Sequence, residues 1–107
     1  MGIIENLEAM RASGQDSALL RYSLGNEYLK RDEHALAIEH LAEAVRLDPS
    51  HSAAWKLYGK ALQAASHHAE AMDAFDEGIA AASDKGDVQA ANEMQVFRKR
   101  SQKALGT

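Results

Sequence analysis

The sequence predicts an all-α chain of about six helices, folded as an array of antiparallel helical hairpins. One observation is a recurring motif: Leu24-Gly25-Asn26-Glu27-Tyr28 returns thirty-four residues later as Tyr58-Gly59-Lys60-Ala61-Leu62. The same offset carries Ala37 onto Ala71, Leu41 onto Phe75, Ala44 onto Gly78 and His34 onto His68. Self-similarity at this period marks a stacked repeat architecture. Composition is the second observation. Apolar residues make up 46% of the chain but aromatics only 6%, a mix suited to helices that approach closely through small side chains. The third is spacing: apolar residues recur every three or four positions, and no stretch alternates as a strand between hairpin turns would.

Taken in order, Ile3, Ile4, Leu7 and Met10 share one face of a first helix over residues 3–13. Ser13-Gly14 ends it, since glycine suits the left-handed position past a helix terminus. Asp16 or Ser17 can cap the next helix, in which Leu20, Leu24 and Tyr28 recur to about Arg31. A tight turn at Arg31-Asp32 leads to a third helix from Glu33. That helix stops at Asp48-Pro49, because proline disfavours helical geometry in the residue before it. The pair then repeats, from Ser52 to Ser66 and from His68 to about Ser83. Asp87, at the end of the loop from Ser83, can cap a final helix to about Leu105.

Length and charge narrow the function classes. At 107 residues the chain is one domain at most. A net charge of −4 exerts no general pull toward nucleic acid or anionic lipid. Without cysteine there are no disulfides, zinc-thiolate sites or cysteine nucleophiles. The MGIIENLEAM start has neither the basic region nor the apolar run of a targeting peptide. Gly2 stands where a myristoylation signal begins, but Asn6 takes the place of the required Ser or Thr. No window approaches the roughly 18 apolar residues that span a bilayer. These features lead us to expect a soluble, cytoplasmic protein.

The five histidines form no His-x-x-x-His pair, and His34 and His68 occupy the same inter-helix turn of each copy, as solvent-exposed repeat residues would. No serine lies in a nucleophile elbow and no glycine-rich phosphate loop is present. Asp73 and Glu77, four apart, read as a solvated helix face. Neither a metal, a cofactor nor an enzyme activity is expected. The basic run Arg98-Lys99-Arg100 with Lys103 reads as cations placed favourably at a helix C-terminus.

The repeated positions resemble the tetratricopeptide repeat (TPR) family. Residues 18–51 show Leu24, Gly25, Tyr28, Ala37, Ala44 and Pro49 of its pattern; residues 52–85 show Trp55, Gly59, Ala71 and Phe75. Arg21, Leu41, Tyr58, Leu62, Gly78 and Ser83 depart from it. The resemblance implies a right-handed α-α superhelix of TPR hairpins, flanked by capping helices over 3–14 and 87–105. In the repeat frame Ile4 falls on Ile38 and Leu7 on Leu41, so the first helix is read as half a repeat. Met10 falls where Ala44 and Gly78 are small, so that helix is expected to stand off or tilt. Ala90, Met94, Phe97 and Ala104 form the stripe of the last helix. In strict frame that stripe would face the groove, whereas a slip of about two residues in the Asp84–Asp87 loop would turn it inward; we favour the slip.

In this family the first helix of each hairpin lines a concave groove for protein segments. Carried over, the resemblance places Tyr22, Asn26, Lys30, Lys56, Lys60 and Gln63 on that groove and implies a non-catalytic protein-binding module. Lys56 and Lys60 would suit a carboxylate-rich segment. Family members that clamp the acidic tails of heat-shock chaperones use five polar positions. Of these only Asn26 matches, while Tyr22, Leu57, Asp87 and Ala91 do not. Alternatives are self-association through Met94, Phe97 or the Met10 helix, and nucleic-acid binding through Arg98 to Lys103.

Overall fold

The computed structural model describes residues 2–106; Met1 and Thr107, the ends of the expected domain, lie outside the described residues. Six helices follow one another: α1 (Ile3–Ala12), α2 (Ala18–Lys30), α3 (His34–Leu47), α4 (Ser52–Ala64), α5 (His68–Asp84) and α6 (Val88–Ala104). Each packs on its neighbour in sequence; in addition α2 touches α4, and α4 touches α6. The odd-numbered helices make no such contacts with one another. The array therefore closes on the α2–α4–α6 side, which is its inner face, and spreads on the α3–α5 side.

Helix ends follow local chemistry. The Ser17 hydroxyl accepts from Leu20 N and the Asp87 carboxylate from Ala90 N, each satisfying a first-turn amide. At the other ends the chain turns through a left-handed residue: Gly14 (φ 91°), Asp32 (φ 57°), Ser66 (φ 63°) and Gly86 (φ 72°). Asp32 and Ser66 are equivalent repeat positions, and both close the same paired bonds. Glu33 N donates to Tyr28 O and Asp32 N to Leu29 O; His67 N donates to Leu62 O and Ser66 N to Gln63 O. The α3–α4 junction is different. There Asp48 Oδ1 accepts from Ser50 N and Oγ, and Trp55 Nε1 donates to Pro49 O.

The two mid-helix glycines are explained by what faces them. A Cβ at Gly25 would sit inside the Leu41 side chain, and one at Gly59 would lie 2.5 Å from Phe75 Cε1. Gly78 meets Trp55 and Met94 in the same way. Leu24, Leu41, Leu62, Phe75 and Met94 are the largest apolar side chains fully withdrawn from water. Around them, the small residues Ala37, Ala71 and Ala44 are equally buried.

The end helices are fastened by polar bonds. Ile4 of α1 joins the core of the first hairpin, with Leu7 beside it, while Met10 is 41% exposed. The Tyr28 hydroxyl donates to Glu8, and its ring stacks on His40 at 5.4 Å between centroids. Arg21 donates to both Asp16 oxygens and, through Nη1, to His40 Nδ1 at 3.1 Å. Because arginine can only donate, His40 must be neutral with its proton on Nε2. At the opposite end Ser101 is completely buried and receives Gln63 Nε2 at 2.8 Å. It also meets His68 Nδ1 at 3.1 Å. His68 is therefore not the solvent-exposed turn residue expected from the sequence: α6 covers it, and its ring bonds to a buried hydroxyl.

Two outcomes follow for stability. Gly59→Ala gains helix propensity of about 1 kcal/mol but forces its Cβ into the Phe75 ring, and overpacking costs ~1–3 kcal/mol. Thermal unfolding of the variant should show a net loss, with Tm lower by several degrees. The second outcome concerns pH. Burial pushes His40 below its ordinary value, with Arg21 and Arg11 adding to that and the Glu8 and Glu39 charges opposing it. The unfolded chain then binds the proton first, near its usual pKa of about 6.5. Stability is full above that pH and declines as pH falls from there toward the folded value. Urea unfolding at steps between pH 7.5 and 5 should show this slope, and His40→Gln should flatten it.

Candidate functional site

Tyr22 and Lys56 are equivalent positions of the two repeats, as are Asn26 and Lys60, and Leu29 and Gln63. All six fall on the turns of α2 and α4 that face the inner side. Tyr22 is half-buried, its ring edge-on to His51 at 4.8 Å, and packs beside the cores of the first hairpin and its junction with α4. Together with Ala53, Lys56, Leu57 and Lys60 it lines a hollow of about 210 Å³. Asn26 is half-buried one turn further along α2. Lys30 lies at the edge of this surface, exposed and paired with Glu27 at 3.0 Å.

α6 changes the chemistry of the other three. The α2 and α4 helices begin thirty-four residues apart, at Ala18 and Ser52, but α6 begins at Val88, thirty-six after Ser52. With this offset Met94 is fully buried against Gly78, and Phe97 stacks on Phe75 at 5.9 Å. Glu93 comes to face Lys56, which pairs with it; that hydrogen bond, followed by one from Gln89, holds the Glu93 carboxyl below its usual value. Gln63 spends its amide on Phe97 O and Ser101 Oγ, both at 2.8 Å. It is a tether between α4 and α6, so its side-chain donors face the chain itself and not the groove. Lys60 has no carboxylate within ion-pair distance among the described residues, and its Nζ lies 5.1 Å from the centre of the Phe97 ring. Arg100 lies over the same ring at 4.9 Å.

Two groove features escaped the reading of the sequence. In the sequence Arg100 reads as part of a terminal basic run, and no periodic signal places the α6 residues Val88, Gln89, Asn92, Glu93 and Val96 on the groove. They line an open hollow of about 600 Å³ in which Val88 and Val96 stand 68% and 53% exposed. The only signal for them was the loop length, which sets the thirty-six-residue offset. Once that is applied, Lys56 and Lys60 correspond to Asn92 and Val96. Gly59 corresponds to Gln95, an exposed polar residue at the place where the repeats admit a close helix. A polar outer face is what a terminal repeat element requires.

The same geometry bears on the other two readings. Met94 is wholly interior and Phe97 is held between Phe75 and two cations, so neither offers an apolar surface to another copy. In the basic run, Arg98 is bound within the chain, donating to Asp76 Oδ1 at 2.6 Å.

The chain is similar to known proteins in sequence and fold. A family model described as tetratricopeptide repeat matches residues 18–61. The TPR repeat-containing protein PA0015 of Pseudomonas aeruginosa is 48% identical over 102 residues, covering 95% of this chain and 97% of that protein. The chain belongs to the TPR family. The solution structure of protein BPP2914 from Bordetella parapertussis superposes with a TM-score of 0.82 at 42% identity, over 97% of this chain and 90% of that one. A TPR domain protein from Salinibacter ruber, solved by NMR, superposes with a TM-score of 0.73 at 26% identity, over 80% and 87%. The fold is thus the all-α superhelix of TPR hairpins. TPR domains generally mediate protein–protein interaction and are generally without catalysis. Among the described residues, no helix is long and apolar enough to cross a membrane.

The tether makes a prediction. Gln63→Leu removes two hydrogen bonds between α4 and α6, each worth about 0.5–1.5 kcal/mol net. Amide exchange should quicken throughout α6 while α2 and α3 keep their protection.

Proposed function

We propose that this TPR chain is a non-catalytic module that captures a segment of a partner protein along its α2–α4–α6 face. The observation that carries the reading is the placement of Lys60 of α4 and Arg100 of α6 over the Phe97 ring. Among the described residues neither cation has a carboxylate within ion-pair distance, and they lie 5.1 and 4.9 Å from the centre of the one ring. Cation–π contact on this scale is worth only ~0.5–1 kcal/mol at exposed sites, too little to quench two charges. A carboxylate arriving between them gains charge-assisted hydrogen bonds, of the forked kind from Arg100.

The rest of the face restricts the segment further. Exposed Leu19, Val88 and Val96 line it with apolar surface, and the Tyr22–Leu57 hollow is sized for a side chain. The occupant is therefore a peptide that interleaves acidic with apolar residues. Of the residues first assigned, Tyr22, Asn26 and Lys60 serve as direct contacts. Lys56 with Glu93, and Lys30 with Glu27, form the polar rim, and Gln63 holds α6 in place.

The test uses a labelled peptide of alternating glutamate and leucine, with a lysine–leucine peptide of the same length as control. Anisotropy should report saturable binding of the acidic peptide alone. Lys60→Glu with Arg100→Glu spares the Lys56–Glu93 pair and should weaken binding about tenfold or more, equivalent to ~1.4 kcal/mol, with the helical signal unchanged. Equal affinity in that variant would remove the groove assignment.

A further inference from the structure

Outside the groove, a second cleft opens at the seam of α4 and α5. It has a volume of about 200 Å³, and its walls are Trp55, Tyr58, Glu70, Asp73, Ala74 and Glu77. We propose that this cleft receives an arginine side chain from a basic peptide partner, the guanidinium lying on the aromatic rings and reaching the α5 carboxylates.

Its floor is aromatic and fixed. Trp55 and Tyr58 lie 6.2 Å apart between ring centroids, tilted by 45°. The indole spends its one donor on Pro49 O at 2.8 Å, so the edge is anchored to the α3–α4 junction. What remains to a ligand is ring surface, which attracts cations. The wall is acidic. Glu70, Asp73 and Glu77 fall three and four residues apart on one face of α5, all exposed. Some other carboxylates are paired within the chain: Glu93 with Lys56, Asp76 with Arg98 and Glu43 with Arg46. Among the described residues Asp73 and Glu77 receive no such cation, and Glu70 meets His67 at 3.7 Å. Like charges four apart on a helix are mildly destabilising. Here two of them are left together beside a π surface, and an incoming cation would relieve the repulsion.

Shape selects among cations. A planar guanidinium can stack on an aromatic ring and still fork to a carboxylate, whereas an ammonium does one or the other as a point charge. A cleft bounded by rings on one side and carboxylates on the other uses both properties at once. The volume admits a single side chain, so the rest of the peptide lies outside, over the outer surface of α5.

Trp55 is the only tryptophan in the chain, so its emission reports on this site. Titration of the intact protein with blocked tetra-arginine should give a saturable change in Trp55 fluorescence. Tetra-glutamate should give none, and tetra-lysine should bind at least several-fold more weakly. Asp73→Asn with Glu77→Gln should weaken tetra-arginine binding about tenfold with helicity retained, while Lys60→Glu with Arg100→Glu should leave the Trp55 response in place. The proposal is overturned if Trp55 does not respond, if the carboxamide variant binds equally, or if lysine and arginine are indistinguishable. It is overturned equally if Trp55 emission changes with protein concentration alone and Lys99→Glu with Lys103→Glu abolishes that change, since a second copy would then fill the cleft.

Discussion

The contact of a large side chain with a bare helix backbone organises this molecule. Leu41 lies where a Gly25 side chain would be, and Phe75 where a Gly59 side chain would be. Each hairpin can close only to the distance that this contact allows, and the distance sets how the next helix is presented. Glycine in a helix interior costs about 1 kcal/mol relative to alanine. The return is a completely buried Phe75 or Leu41, a side chain whose withdrawal from water is worth ~1.5–3 kcal/mol. The exchange favours the fold, and it is made twice in the same frame. Gly78 makes it a third time from the other side, admitting Met94 of α6.

That third contact explains why the groove differs from a simple copy of its parts. Were α6 in strict register, Met94 would take the place of Lys60 and lie in the groove. The two-residue offset instead seats Met94 on Gly78 and brings Glu93 and Phe97 back over α4. Lys56 and Lys60 are like charges four apart, unfavourable in a lone helix by a few tenths of a kcal/mol. In the folded chain Glu93 answers the first and the Phe97 ring lies under the second. The groove thus gains an aromatic floor and a second cation, Arg100, from a helix that in sequence looks like a cap.

Helix order and the repeat frame were legible because they rest on local and periodic signals. Ser17, Gly14, Pro49 and Asp87 mark ends by the chemistry of single residues, and the glycines mark the frame by recurring. The half-repeat reading of α1 also had a visible basis in Ile4 and Leu7. What could not be read is whatever depends on long-range partners. His40 shares its helix with no acid that explains its burial; its bond to Arg21 and its stack on Tyr28 come from the preceding helix. His68 and Ser101 are thirty-three residues apart. Their bond exists only because a loop of a particular length sets the rotation of α6, and loop length carries no periodic signal. The same reason hid Arg100 from the groove.

Placement of charge then separates the two surfaces. The net charge of −4 describes neither of them. Among the described residues, Lys60 and Arg100 on the α2–α4–α6 side have no carboxylate in ion-pair reach, and Asp73 and Glu77 at the α4–α5 seam have no cation. Between the inner face and that seam, α4 carries the buried apolar residues Ala54, Ala61 and Leu62. A charge buried there without a partner would cost far more than it gains. Salt shortens the reach of exposed charges to about 8 Å at physiological strength, so each surface acts on its own surroundings. On the two proposed readings, an acidic segment at one surface and a basic one at the other would meet separate sets of side chains.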